Sequence, residues 1–241
     1  WSTIKHKKGA ADAKRSKIFS KLVKEIQVAV KEGGPDPDHN ARLRLVIQNA
    51  KGVSMPKDNI ERAVKGGDKD AASFFETTFE GYLPNAVAVF IECTTNNQQR
   101  TVSNIRSIFN KYNGNMGTNG SLSFMFDRKG IFSIPKENFR AEDHELELID
   151  AGAEDISEED DYVVVTTAMD DFGQMQKKLE ELEIIAENAR LQRIPKEYKE
   201  LGKEETRKIL KVLDLFEEDD DVQNVYHNLD IPDELLDEME E

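Results

Sequence analysis

Lys14, Lys17, Lys21 and Lys24 recur at three- and four-residue spacing near the start of the chain, with Lys5, Lys7, Lys8 and Arg15 close by. From Lys5 to Lys31 there are nine Lys/Arg and two acids, Asp12 and Glu25. On a helix this spacing puts a row of ammonium groups on one face. The chemistry open to such a row is phosphate binding, because each lysine that meets a phosphate on a polyanion releases a condensed counterion. The alternative is a solvated helix face, the usual fate of a charge run. Arg42, Arg44, Lys57, Arg62 and Lys65 extend the basic set a little further along. Few aromatic residues interleave with these cations, so base stacking on this surface is expected to be minor and sequence specificity poor.

Other candidate chemistries are weaker. His6, His39, His144 and His227 are scattered and lack the short spacing of a helical metal pair, so no metal site is expected. Cys93, the single cysteine, excludes an intramolecular disulfide and sits in an apolar run, where a buried inert thiol is expected. The acidic run Glu217–Asp221 lacks the alternating oxygen ligands and central glycine of a calcium loop and reads as a solvated helix end. The loop Asn113–Gly120 has three glycines that could bring backbone amides to a phosphate, although a plain helix-to-strand connection suits it better. No nucleotide-binding glycine motif and no Ser-His-Asp arrangement is suggested. Neither catalysis nor a cofactor is expected.

The elements that must position the cations follow from periodicity. Phe19, Leu22, Val23, Ile26 and Val30 keep helical spacing beside the lysines, and Gly33-Gly34-Pro35 should stop that helix. A second helix fits Asp38 as its cap, Leu43, Val46, Ile47 and Ala50 inward, and Gly52 as its end. A third fits Ser54 as cap, Pro56 in its first turn and Ile60, Ala63 and Val64 inward. The three read as a small bundle, and the second and third also allow a helix-turn-helix with Arg62 and Lys65 on its reading helix.

From Phe75 the pattern changes to two strands, Phe75–Tyr82 and Ala86–Thr94, then a helix from Thr101 to Tyr112. Ser121–Phe126 reads as a strand and Asp127–Gly130 as a turn. Residues 131–194 follow a strand–helix–strand–strand–helix–strand order, the ferredoxin-like pattern. The amphipathic helix Lys203–Phe216 and the strand Val222–His227 then have no local sheet to join. The simplest reading returns them to the sheet begun at residue 75, with the ferredoxin-like unit inserted between. The expected domains are 1–70, 71–130 with 196–241, and 131–195.

Charge follows the same division. Net charge is +7 over residues 1–70, +1 over 71–129 and −23 over 130–241, giving −15 in all. An acidic remainder would repel nucleic acid and confine a phosphate ligand to the front of the molecule. No apolar stretch approaches the roughly 20 residues that cross a bilayer, so no membrane association is expected, and the lone cysteine fits a reducing compartment.

Several unusual strings carry a resemblance. Trp1-Ser2-Thr3-Ile4-Lys5-His6-Lys7-Lys8 and Asp12–Phe19 resemble the opening of the YebC family, whose mitochondrial relative is the translational activator of cytochrome c oxidase subunit I. Gly34-Pro35-Asp36-Pro37, Met55–Ile60, Asn96–Val102, Gly114–Gly117, Phe126–Gly130 and Asp221–Asn228 are similar as well. Members carry a short Gly-His-Ser-Lys run before that Trp, so a short segment is expected upstream. The chain departs from the family pattern at Leu83-Pro84-Asn85-Ala86, where many members have more glycine, and at Arg190 and Arg193, which add charge to a strand that is often less basic.

The resemblance implies an α+β protein: an N-terminal three-helix bundle and two ferredoxin-like α/β domains, one inserted in the other. It implies a cytoplasmic, non-enzymatic regulator of gene expression, a DNA-binding transcriptional regulator in the usual description of bacterial members. Ribosome-associated translation factors that bind RNA also belong to it. The expected partner is therefore nucleic acid, DNA or ribosomal and messenger RNA, with the ribosome as a further partner and the chain itself monomeric. A protein-interaction adaptor working through the acidic domains is the alternative from a different class.

Overall fold

A computed structural model describes residues 12–67, 74–159, 161–232 and 235. Helix α1 (Asp12–Gly33) carries the lysine row, α2 (Ala41–Gly52) follows, and α3 (Lys57–Gly66) completes the bundle. Leu22, Ile26, Ala29, Val30, Leu43, Val46, Ala50, Met55, Ile60 and Ala63 fill its core, as the apolar spacing predicts. Gly34 takes a positive φ of 87° and donates its N–H to Val30 O at 2.7 Å, which ends α1 where expected.

Two caps differ from expectation. Asn40, not Asp38, caps α2: its side chain accepts the N–H of Leu43 at 3.0 Å and donates to Ala29 O at 2.7 Å and Gly34 O at 2.8 Å. A carboxylate could not make the two donations, whereas an amide both donates and accepts and so ties the end of α1 to the start of α2. Helix α3 begins at Lys57 behind Pro56, and Ser54 sits in the turn before it with φ 58°.

The first sheet has the strand order β3-β1-β2-β8, from β1 (Phe75–Leu83), β2 (Val87–Thr95), β3 (Asn115–Met116) and β8 (Val222–His227). Helices α4 (Gln98–Lys111) and α7 (Lys203–Glu218) cover one face of it. There Ile105, Phe109, Ile209, Leu213 and Phe216 meet Val87, Val89, Ile91 and Cys93, alternate residues of β2. On the other face Ala88, Phe90 and Tyr226 pack against Leu122 and Phe126.

The second sheet has the order β5-β6-β4-β7, all antiparallel, from β4 (Phe126–Pro135), β5 (Ala153–Glu158), β6 (Tyr162–Ala168) and β7 (Asn188–Pro195). With α5 (Ala141–Asp150) after β4 and α6 (Phe172–Glu181) after β6, it has ferredoxin-like connectivity. In the first sheet the hairpin β1–β2 instead forms the central pair, and β3 and β8 are the edges.

The stretch Asp127–Gly130 is not a turn. It lies inside β4, paired on one side with β7 and from Lys129 onward with β6 as well. A Cβ at Gly130 would come within 2.4 Å of Thr167 Oγ1, so this glycine serves close packing in a central strand. Of the predicted strand Ser121–Phe126, only Phe126 lies in a strand; residues 121–125 are a series of turns, with N–H bonds from Ser121, Ser123 and Met125 to the carbonyl three residues back.

Candidate nucleic-acid interface

Helix α1 presents Lys17, Lys21 and Lys24 on one side, and the end of α7 meets them there. Lys17 donates to Glu218 O, Lys21 to Gln223 O at 3.3 Å, and Lys24 to Asp220 O. Three successive cations thus end on carbonyl groups where α7 stops and β8 begins. A helix C-terminus offers unpaired carbonyls and the negative end of the helix dipole, which is why ammonium groups suit it. Lys21 is largely covered, and burial pushes its pKa below the ordinary lysine value against an opposing pull from Glu217. The expected solvated acidic run is therefore the receiving surface for the expected phosphate-binding row.

At the centre of this seam is Asp221, whose side chain is almost entirely buried. Its carboxylate accepts from Arg100 at 2.7 and 2.8 Å and from Thr101 Oγ1 at 2.9 Å, and lies 3.5 Å from Lys24 Nζ. Burial alone would raise its pKa. The hydrogen bonds from Arg100 and Thr101 and the charges of Lys24 and Arg100 outweigh that and hold it below the usual carboxylate range. Sequence reasoning assigned no role to Arg100 and read Asp221 only as part of a solvated acidic run, which its burial corrects, although both fall in strings that carry the family resemblance.

The remaining cations divide. Lys5, Lys7 and Lys8 lie outside the described residues, as does the side chain of Lys14. Arg42 bridges Glu32, at 2.6 Å, and Glu76, and so joins the bundle to β1. Arg15, Arg44, Lys57, Arg62 and Lys65 are exposed. Their contacts are local or long: Arg15 over the Phe19 ring, Arg44 at 3.8 Å from Glu180, Lys57 at 3.6 Å from Glu61, and Arg62 on Asp58 O and Asn59. Exposed pairs of this kind contribute roughly 0–1 kcal/mol and give way easily to a better anion.

The loop amides considered for phosphate are already filled. Glu80 is buried, and its two carboxylate oxygens accept the N–H groups of Gly120 at 2.7 Å and Leu122 at 2.6 Å, while its carbonyl accepts Gly117 N at 2.7 Å. Arg193 likewise turns inward. Its guanidinium lies 3.7 Å from the centre of the Phe90 ring and its Nε is 3.1 Å from Glu92, so it joins the two sheets. Cys93 is buried, and the loss of hydration raises its pKa to about 12. Among the described residues no group of three or more His, Cys, Asp or Glu is placed to hold a metal ion. Among them too, no helix is long and apolar enough to cross a membrane.

The fold is thus an α+β protein in which a basic helical bundle is fastened onto two four-stranded antiparallel sheets. Residues 1–70 match the TACO1/YebC protein N-terminal domain and residues 74–229 match the TACO1/YebC second and third domain. The chain belongs to the TACO1/YebC family.

A probable transcriptional regulatory protein from Geotalea uraniireducens is 51% identical over 241 residues, 99% of this chain and 97% of its own length. One of the same name from Amoebophilus asiaticus is 48% identical, covering 95% and 96%. The crystal structure of a conserved hypothetical protein from Aquifex aeolicus superposes with a TM-score of 0.84 at 40% identity, over 96% of this chain and 97% of that one. The first two relatives are named as probable transcriptional regulatory proteins, and the kinship supports a regulatory role here.

Proposed function

We propose that the protein is a non-enzymatic, cytoplasmic regulator of gene expression that binds nucleic acid through the exposed cations of its helical bundle, with duplex DNA as the ligand. The observation that carries this reading is the outward placement of Arg15, Arg44, Lys57, Arg62 and Lys65 on a bundle of net positive charge, in a chain whose total is −15. Lys5, Lys7, Lys8 and Lys14 precede Arg15 in the sequence and are proposed to bind phosphate as well. The name shared by the relatives supports DNA as the ligand, since a transcriptional regulator acts there. Lys17, Lys21 and Lys24 work differently, by holding the bundle against α7 so that the outward cations keep a fixed arrangement.

The test is affinity for duplex DNA across a range of salt. Wild type should lose affinity steeply as salt rises, and Lys57→Glu, Arg62→Glu and Lys65→Glu together should flatten the slope by about the number of phosphate contacts removed. Flat salt dependence in wild type, or an unchanged slope in the triple variant, rejects the reading. The ribosome presents the same phosphate charge and is the second proposed partner. Co-sedimentation with ribosomes beside a DNA gel shift ranks the two.

A further inference from the structure

From Cys93 to Phe126 the chain runs 34 residues without one acid. The 48 acids in 241 residues would put about seven in such a run. In their place are Arg100, Arg106 and Lys111, nine Asn or Gln, and eight Ser or Thr. The run wraps the β3 edge of the first sheet: α4 packs on one face, through Ile105 and Phe109, and the Ser121–Met125 turns pack on the other, through Leu122. The acids that reach it from neighbouring elements are turned to internal partners. Asp221 is held by Arg100, Thr101 and Lys24; Asp219 accepts from Asn104 and from Asp221 N; and Glu80 holds two loop amides.

The outer side of α4 forms a shallow groove of about 950 Å3 in which Gln99, Ser103, Arg106, Ser107, Asn110 and Lys111 face solvent. Round the edge, Phe124 is 66% exposed and Tyr82 36% exposed, the latter beside Met125 with its hydroxyl 3.4 Å from the sulfur. The polar, weakly cationic and acid-free outer face of α4 and, past the β3 edge on the opposite face of the sheet, two solvent-facing aromatic rings offer what unpaired nucleotides need: hydrogen-bond donors and acceptors for sugar and base, a face to stack on, and no repulsion of the backbone.

We propose that this strip is a second interface, for single-stranded RNA. Amides and hydroxyls outnumber cations there, so recognition proceeds through hydrogen bonds, which favours ribose with its 2′-hydroxyl over deoxyribose. Phe124 supplies the stacking platform, and Arg106 and Lys111 meet the backbone. The inference extends the nucleic-acid reading above but uses none of the bundle cations, so the two fail separately.

The test is fluorescence anisotropy on the full chain with labelled single-stranded RNA of about a dozen nucleotides, DNA of the same sequence, and duplex DNA. Phe124→Ala should weaken RNA binding about tenfold or more, as expected for a lost stacked base, and leave duplex binding unchanged. Arg106→Glu with Lys111→Glu should weaken it further. Phe124→Trp should retain binding, with tryptophan emission quenched on adding RNA. All three positions are exposed, and unchanged thermal melts by circular dichroism confirm that the variants fold.

RNA affinity that is absent in wild type, or unchanged in Phe124→Ala and in the double variant, overturns the proposal. Equal affinity for RNA and single-stranded DNA overturns the choice of ribose. If the double variant keeps its RNA affinity but loses a nuclease-resistant protein contact, the strip belongs to a protein partner and the proposal is likewise overturned.

Discussion

The carboxylate of Asp221, 3% exposed, lies 3.5 Å from the ammonium of Lys24 and 2.7 Å from the guanidinium of Arg100. One residue at the start of the last strand therefore joins the first helix, through Lys24, to the helix of the first sheet, through Arg100. The remote ends of the sequence meet at this one charge.

Replacing that charge should loosen the seam. Asp221→Asn removes a carboxylate with three donors around it and should destabilise the fold by about 2 kcal/mol, below the figure for a fully buried pair because Arg100 is half exposed. The pH dependence follows from the depressed pKa in the fold. The stability it contributes is fully present above the unfolded value of about 3.9 and is lost as pH falls through the folded value. In urea unfolding from neutral pH down to pH 2, the gap between wild type and Asp221→Asn should be constant at neutral pH and close in acid. A gap that widens in acid contradicts the assignment.

The two groups of cations should separate by phenotype. Lys17→Ala, Lys21→Ala and Lys24→Ala together should lower the unfolding midpoint, since three carbonyls between the end of α7 and the start of β8 lose their donors. Lys57→Ala, Arg62→Ala and Lys65→Ala should leave stability within about 0.5 kcal/mol, as surface changes usually do, and should weaken duplex DNA. Measuring both quantities on both variants checks the division, and a seam variant of unchanged stability contradicts it.

Glu80 should govern the order of the 117–122 turn. Glu80→Ala strands the N–H groups of Gly120 and Leu122 and should cost about 2–3 kcal/mol, with faster hydrogen exchange at those two amides. Glu80→Gln keeps one acceptor oxygen and should fall between. Exchange rates equal to wild type in the alanine variant would show that the loop holds itself.

The bundle is fastened to the second sheet at an edge strand. Asn49 donates to Ala189 O and accepts Ala189 N–H, both at 2.9 Å, standing in for a strand partner of β7. A Cβ on Gly52 would fall 2.0 Å from Glu187 O. Gly52→Ala should therefore push α2 off β7 and cost more than Asn49→Ala, which should cost about 1–3 kcal/mol. Limited proteolysis between α3 and β1 together with urea unfolding reads both. An alanine tolerated at 52 without loss would contradict the close approach.

Cys93 should be silent in the folded protein. With its thiol buried and its pKa raised to about 12, it should not react with a disulfide reagent at pH 8 until the chain unfolds. Stoichiometric labelling under native conditions would contradict the burial.

Local pattern was legible wherever one side of an element faces the core. The apolar spacing of α1, α2 and α3, the buried Cys93 and the ferredoxin-like order of the second sheet all come from residues within a few positions of one another. Asn40 against Asp38 as cap, and strand against turn at Asp127–Gly130, were not legible. Each depends on what lies opposite in space: Ala29 O for the asparagine, Thr167 and Phe172 for the glycine.

The sequence by itself determined most of the elements, the family and the gathering of positive charge at the front, because periodicity and composition are properties of short stretches. Tertiary structure decided what each charge is for. Lys17, Lys21 and Lys24 look the same as Lys57 and Lys65 in a string of letters, yet the former end on the carbonyls between α7 and β8 and the latter face water. A cation's role is fixed by the nearest unsatisfied acceptor, and here that acceptor comes from the far end of the chain.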